Sequence, residues 1–130
     1  MSGIAAVVPI AMMIGLAFAC GNVAAAAGAA GERDYATYCA PCHGPRGGGD
    51  GPLAAMLVPK PAVHSDAAFM NALSDEYLLR LLKEGGPAVG KSSLMGAWGK
   101  NLSEQRICDL VAFMRSLAGQ GARAGGSCKQ

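Results

Sequence analysis

Five consecutive residues, Cys39-Ala40-Pro41-Cys42-His43, concentrate side chains able to do chemistry. In a helical turn, side chains at i and i+3 share a face. Two thiols so placed can each add across a vinyl group at one edge of a porphyrin. The histidine that follows then falls beneath the ring, where a neutral imidazole is a strong axial ligand and its second ring nitrogen needs an acceptor. Cys-x-x-Cys-His is the attachment signature of covalently bound haem c. Three rival chemistries use parts of the same set. A thiol-disulfide oxidoreductase pair at Cys39 and Cys42 normally follows a strand, and no strand pattern precedes Tyr35. Zinc needs four ligands, and His64, Cys108 and Cys128 stand at no recognised zinc spacing. A disulfide between Cys39 and Cys42 would close a very tight ring and leave His43 idle.

What fills the second face of such a haem separates an electron carrier from a catalyst, and a thioether favours the carrier. Met114 lies on an apolar helical stripe and Met70 in the short apolar run 67–73, so both read as core. Met56 follows His43 too closely to pass around a porphyrin edge. Met95 lies in a non-helical stretch between Gly85 and Ser103, with enough chain behind it to reach the opposite face, and is the expected ligand. His64 is the candidate for a bis-histidine site; as a loop histidine it reads as solvated.

The elements that must position these groups are helical. A short helix carries Tyr35 and Tyr38 into the cysteine motif and stops at Gly44-Pro45. Residues 44–61 are rich in Gly and Pro and read as an irregular, proline-stiffened loop. Ser74 caps a helix with Asp75 and Glu76 in its first turn, Lys83 in its last and Gly85 as its stop. Ser103 caps the last helix, whose stripe is Ile107, Leu110, Val111, Met114 and Leu117, with Leu102 placed to staple onto Ile107. No segment alternates as a strand would, so the domain reads as all-α with long loops.

Residues 85–92 also spell Gly-x-x-x-x-Gly-Lys-Ser, the pattern of a phosphate-binding loop. That motif requires a strand before it and a helix after it. Here a helix ends at Gly85, so no nucleotide is expected. The glycines read as a helix cap and a turn delivering Met95, with Lys91 and Ser92 near a haem propionate.

Residues 1–31 contain no Asp, Glu, Lys or Arg. The apolar run Ile4 to Ala19, with Ala17-Phe18-Ala19 as a cleavage pattern, reads as a signal peptide; residues 4–30 as an uncleaved membrane anchor, or lipidation at Cys20, are the alternatives. Export implies the periplasm. The domain is placed at 32–118, followed by a flexible Gly/Ala-rich tail, 119–130. A net charge of +2 with the signs interspersed gives no basic run for nucleic acid. Cys108 and Cys128 read either as a disulfide or as a buried thiol and a free one in the tail.

The segments "YATYCAPCHGPRGGGDGP", "PKP", "LSDEYLLRLLKEGGPAVGKSSLMGAWG" and "LSEQRICDLVAFMRSL" together resemble a class I c-type cytochrome of the bacterial periplasmic, single-haem kind, over nearly all of residues 33–118. The resemblance implies a small cytochrome c fold of about three to five helices around one haem. It also implies Cys39 and Cys42 as attachments, His43 and Met95 as axial ligands, and the Pro52 carbonyl as acceptor for the His43 ring N–H. Leu53 and Trp98 would lie near the haem, with Tyr35 and Tyr38 against Leu110, Phe113 or Met114. Two positions depart from the pattern: Gly96 stands where proline often follows the ligand methionine, and Cys108 where the family is usually apolar. The implied function is that of an electron-transfer protein, not an enzyme, exchanging single electrons with redox partner proteins. The alternatives are a haem subunit of a larger oxidoreductase and a small-molecule-binding enzyme or sensor with a labile Met95.

Overall fold

A computed structural model describes residues 20–119 together with Cys128. The signal-peptide reading of residues 1–19 and most of the tail lie outside the described residues. Among the described residues the secondary structure is helical, without strands: α1 (Cys20–Tyr38), α2 (Ala40–His43), α3 (Ala67–Asn71), α4 (Asp75–Glu84) and α5 (Glu104–Leu117), with 3₁₀ turns at Ala54–Met56 and Gly86–Val89. The all-α expectation holds. No helix among them is long and apolar enough to cross a membrane.

Helix α1 is longer than the short helix expected, and crosses the domain boundary drawn at Glu32. Runs of alanine favour the helix. Its packing also begins before the boundary, because Gly31 is buried against the backbone of α5, where any side chain would strike the Asp109 carbonyl. Tyr35 (1% exposed) packs on Phe113 with ring centroids 5.2 Å apart, as the resemblance implied. Tyr38 packs against the same core and meets Trp98, at 4.9 Å. Asp34 joins the two helices by accepting from Arg106 Nε at 2.8 Å and Nη2 at 2.5 Å.

Local signals set the other helices. The hydroxyls of Ser74 and Ser103 accept from the N–H of Tyr77 and of Arg106, and Asp66 Oδ1 accepts from Phe69 N–H to start α3. Gly85, at φ 86°, ends α4 in a conformation that favours glycine. Leu78, Leu79 and Leu82 of α4 meet Ile107, Leu110, Val111 and Met114 of α5 in the core. Each such side chain contributes about 1.5–3 kcal/mol on burial. Leu102 joins them, consistent with the expected staple. Arg115, itself buried, donates to the carbonyls of Met70 and Leu73 and to Asp75, tying α5 to the α3–α4 corner.

The two leftover cysteines are joined: Cys108 and Cys128 form a disulfide with Cα atoms 5.9 Å apart, pinning the tail to α5. Cys108 thereby occupies its departure from the family pattern as one end of a crosslink, and neither residue remains available to zinc.

Candidate haem site

The cysteine motif is wound as one tight turn. Cys39 carbonyl accepts from the N–H groups of Cys42 (3.1 Å) and His43 (2.8 Å), and Pro41 occupies the first turn of α2, where its missing N–H is no loss. A helix of this length cannot satisfy its own final carbonyls. The loop that follows does so: Leu53 N–H donates to Pro41, Gly51 N–H to Cys42 and Gly49 N–H to His43, at 2.9, 3.2 and 2.8 Å. Gly51 must be glycine, since a Cβ there would sit 2.5 Å from the Pro41 carbonyl oxygen.

This hooking corrects the acceptor expected for His43. Pro52 lies between two residues whose N–H groups cap α2, and its carbonyl does not receive the imidazole. The chain returns past the ring later, and His43 Nδ1 donates to the Ala62 carbonyl at 2.9 Å. A carbonyl only accepts, so the proton is on Nδ1 and the lone pair is on Nε2. Burial lowers the His43 pKa, the Ala62 bond opposing that only in part, and the ring stays neutral and ligand-competent.

Both motif thiols are free, Cys39 buried and Cys42 half-buried. Burial, helped by Asp34 and Cys42, pushes the Cys39 pKa up to about 12. Cys39, Cys42, His43, Leu53, Met95 and Trp98 all line one cavity of about 520 Å³, a volume usual for a cofactor site. Pro52 does not.

The 85–92 stretch is a hook on the end of α4. Lys91 N–H donates to Gly86 carbonyl (2.8 Å), Gly86 N–H to Met95 carbonyl (2.9 Å) and Met95 N–H to Ser92 carbonyl (3.2 Å). Trp98 and Gly99 N–H then close onto the Leu82 and Lys83 carbonyls. With a helix before it, a 3₁₀ turn inside it and its amides spent internally, it offers phosphate no nest, and its geometry serves to hold Met95. Lys91 and Ser92 line the cavity.

Of the other methionines, Met70 (0% exposed) and Met114 (2%) are core residues as expected, yet they line the same cavity as Met95. Met56 is 74% exposed and absent from the cavity wall. His64 departs from expectation. It is 5% exposed rather than solvated, with its ring stacked on His43 at 4.1 Å and 17°, and Nδ1 2.9 Å from the Tyr35 hydroxyl. Two rings in face-to-face contact cannot ligate one iron from opposite sides, so His64 is not the distal partner of His43. Burial, with His43 beside it, lowers its pKa to about 3. Sequence reading gave no sign of this stack, because it depends on where residues 44–66 fold back.

Trp98 lines the cavity, and its Nε1 is buried without a hydrogen-bond partner among the described residues, an arrangement that costs about 1–3 kcal/mol. A group with a large apolar body, attached through Cys39 and Cys42, fits the free thiols and the apolar walls together.

A family described as cytochrome c oxidase, cbb3-type, subunit III, matches residues 26–114. The chain belongs to that family of c-type cytochrome domains. Membership implies covalently bound haem c, haem-based electron transfer and redox partner proteins. The match begins before residue 32, in keeping with the packing of Gly31. Among solved structures, a chain of the Kuenenia stuttgartiensis reducing HAO-like protein complex Kustc0457/Kustc0458 is similar, with 31% identity and a TM-score of 0.52. The likeness covers 68% of this cytochrome but 41% of that chain, so the cytochrome spans well under half of its neighbour's length. No curated protein matches the sequence significantly.

Proposed function

We propose that this cytochrome is a periplasmic electron carrier, not an enzyme, holding one haem c with His43 Nε2 and Met95 Sδ as axial ligands. The observation that carries this reading is the convergence of Cys39, Cys42, His43 and Met95 on one cavity, with the His43 tautomer fixed by Ala62. The haem supplies a one-electron couple when bound. The chain does the rest. Cys39 and Cys42 hold the group in place, and the Ala62 carbonyl keeps a lone pair on Nε2. The hook at 85–95 ties the Met95 backbone at both its N–H and its carbonyl, and Leu53 lends the cavity an apolar wall. Such fixed ligation suits outer-sphere transfer, in which little reorganises.

A spectrum and redox titration of protein matured in a cytochrome-assembling periplasm tests the reading. Met95→Ala is expected to abolish the sulfur-to-iron charge-transfer band and lower the potential, with Met56→Ala unchanged. Rapid carbon monoxide binding by the reduced wild type at neutral pH would favour the labile-ligand alternative, for which Gly96 after Met95 is the support. A second reading, as the haem subunit of a larger oxidoreductase, draws on the complex from which the solved neighbour comes and on exposed apolar side chains at Leu94 (62%) and Val58 (83%).

A further inference from the structure

His64 has no part in the electron-carrier reading, yet it is buried on the cavity wall and held on two sides. A buried imidazole is unfavourable unless its nitrogens are served, and the Tyr35 hydroxyl serves Nδ1. Tyr35 is itself immobilised between α1 and α5 against Phe113. The loop bringing His64 there is tied by Ser65 N–H to the Gly47 carbonyl at 3.1 Å. Gly47, at φ 71°, leaves the room that the His64 Cβ needs, since a Cβ on residue 47 would stand 2.9 Å from it. Four residues in three segments therefore converge to put one ring flat against another.

The His43 ring needs two restraints. Its bond to Ala62 fixes the direction of Nδ1 but leaves the ring free to swing about that axis. A flat neighbour on its face removes the swing. We infer that His64 is a positioning residue, its ring locked by Tyr35 and stacked on His43 so as to fix the plane of the imidazole that the Ala62 carbonyl holds at its edge. The inference rests on the reading of His43 as an axial ligand. The plane of an axial imidazole decides which iron d orbital its π system meets, so a fixed plane gives one electronic state and one potential rather than a spread.

The test uses holoprotein with covalently attached haem, compared by midpoint potential and by low-temperature electron paramagnetic resonance of the oxidised form. His64→Ala is expected to broaden the low-spin signal. It should also shift the midpoint potential and flatten the redox titration, because imidazole planes that differ from molecule to molecule give a spread of potentials. His64→Phe keeps a ring against His43 but loses the bond to Tyr35, and is expected to give a signal close to that of Tyr35→Phe and narrower than that of His64→Ala. Tyr35→Phe keeps the shape and loses the hydroxyl, and is expected to give a smaller shift in the same direction as His64→Ala. The positioning role is overturned if His64→Ala and Tyr35→Phe both coincide with wild type, or if His64→Phe broadens the signal as His64→Ala does. Should His64→Ala fail to mature, the other two variants decide: a wild-type result for Tyr35→Phe, or a signal for His64→Phe broader than that of Tyr35→Phe, overturns it. A separate variant, His43→Ala, isolates the underlying reading. A wild-type low-spin signal there removes His43 as ligand, an outcome distinct from a failed stack.

Discussion

Replacing Gly28 or Gly31 of α1 should have opposite effects, although the two positions are only three residues apart. In a helix interior, Gly→Ala stabilises by about 0.5–1 kcal/mol because alanine loses less backbone entropy. At Gly28 a new Cβ meets nothing within 4 Å, so the full gain is expected. At Gly31 the same Cβ would stand 2.8 Å from the Asp109 carbonyl carbon, closer still to its oxygen, and 3.0 Å from Phe113 Cβ. Ordinary carbon contacts lie near 3.5–4.0 Å, and the obstacle is backbone, which no rotamer change removes. Helices α1 and α5 must therefore separate, an overpacking penalty of about 1–3 kcal/mol. Gly31→Ala is thus expected to be less stable than Gly28→Ala by about 2 kcal/mol, or about 8–16 °C in Tm for a domain of this size. Thermal unfolding of the two holoproteins, followed by far-ultraviolet circular dichroism, measures the difference. A Gly31→Ala protein as stable as Gly28→Ala would refute the close α1–α5 contact and, with it, the placement of residue 31 inside the folded domain.

Three further outcomes are expected. Arg106 hydrogen-bonds Asp34 and holds its carboxyl below the ordinary carboxylate range. The folded value lies below the unfolded one, so the stability it contributes is complete above about pH 4 and is lost as pH falls through the folded value. Urea midpoints of Asp34→Asn should accordingly fall less steeply than wild type on acidification. Arg115→Met strands two carbonyls and the Asp75 carboxylate, and is expected to cost about 3 kcal/mol, read as a lowered urea midpoint. In a Cys20→Ser background, unreduced holoprotein should show no titratable thiol, reductant should expose two, and Cys108→Ser should lower stability by up to about 3 kcal/mol for a loop of this length.

The sequence made legible whatever is decided within a few residues. Ser74, Ser103 and Gly85 mark helix ends because a cap is a contact between near neighbours, and the cysteine motif announces its turn by spacing alone. Met95 emerged from chain length and from the elimination of residues on apolar stripes. Two parts of the site stayed hidden. The acceptor of His43 is a backbone carbonyl, which every residue has, so nothing in the side chain of Ala62 distinguishes it from Pro52. The stack of His64 on His43 depends on a 20-residue loop closing through Gly47 and Ser65, whose bond pairs residues 18 apart. Helix α1 was underestimated because the charge break at Glu32 suggested a boundary, whereas the alanine-rich stretch 24–30 before the break is itself a good helix former and runs on into the charged turn.

The chain has two cysteine pairs with opposite requirements: Cys39 and Cys42 must remain thiols until the haem is joined, while Cys108 and Cys128 are already oxidised. Exchange between them would scramble both, since a thiolate attacks any disulfide it can reach. With its pKa near 12, Cys39 is almost wholly protonated at neutral pH and is a poor attacker, and its burial in the core denies it access to the crosslink on α5. For Cys39, the packing that shapes one wall of the cavity thus also slows exchange with the tail crosslink.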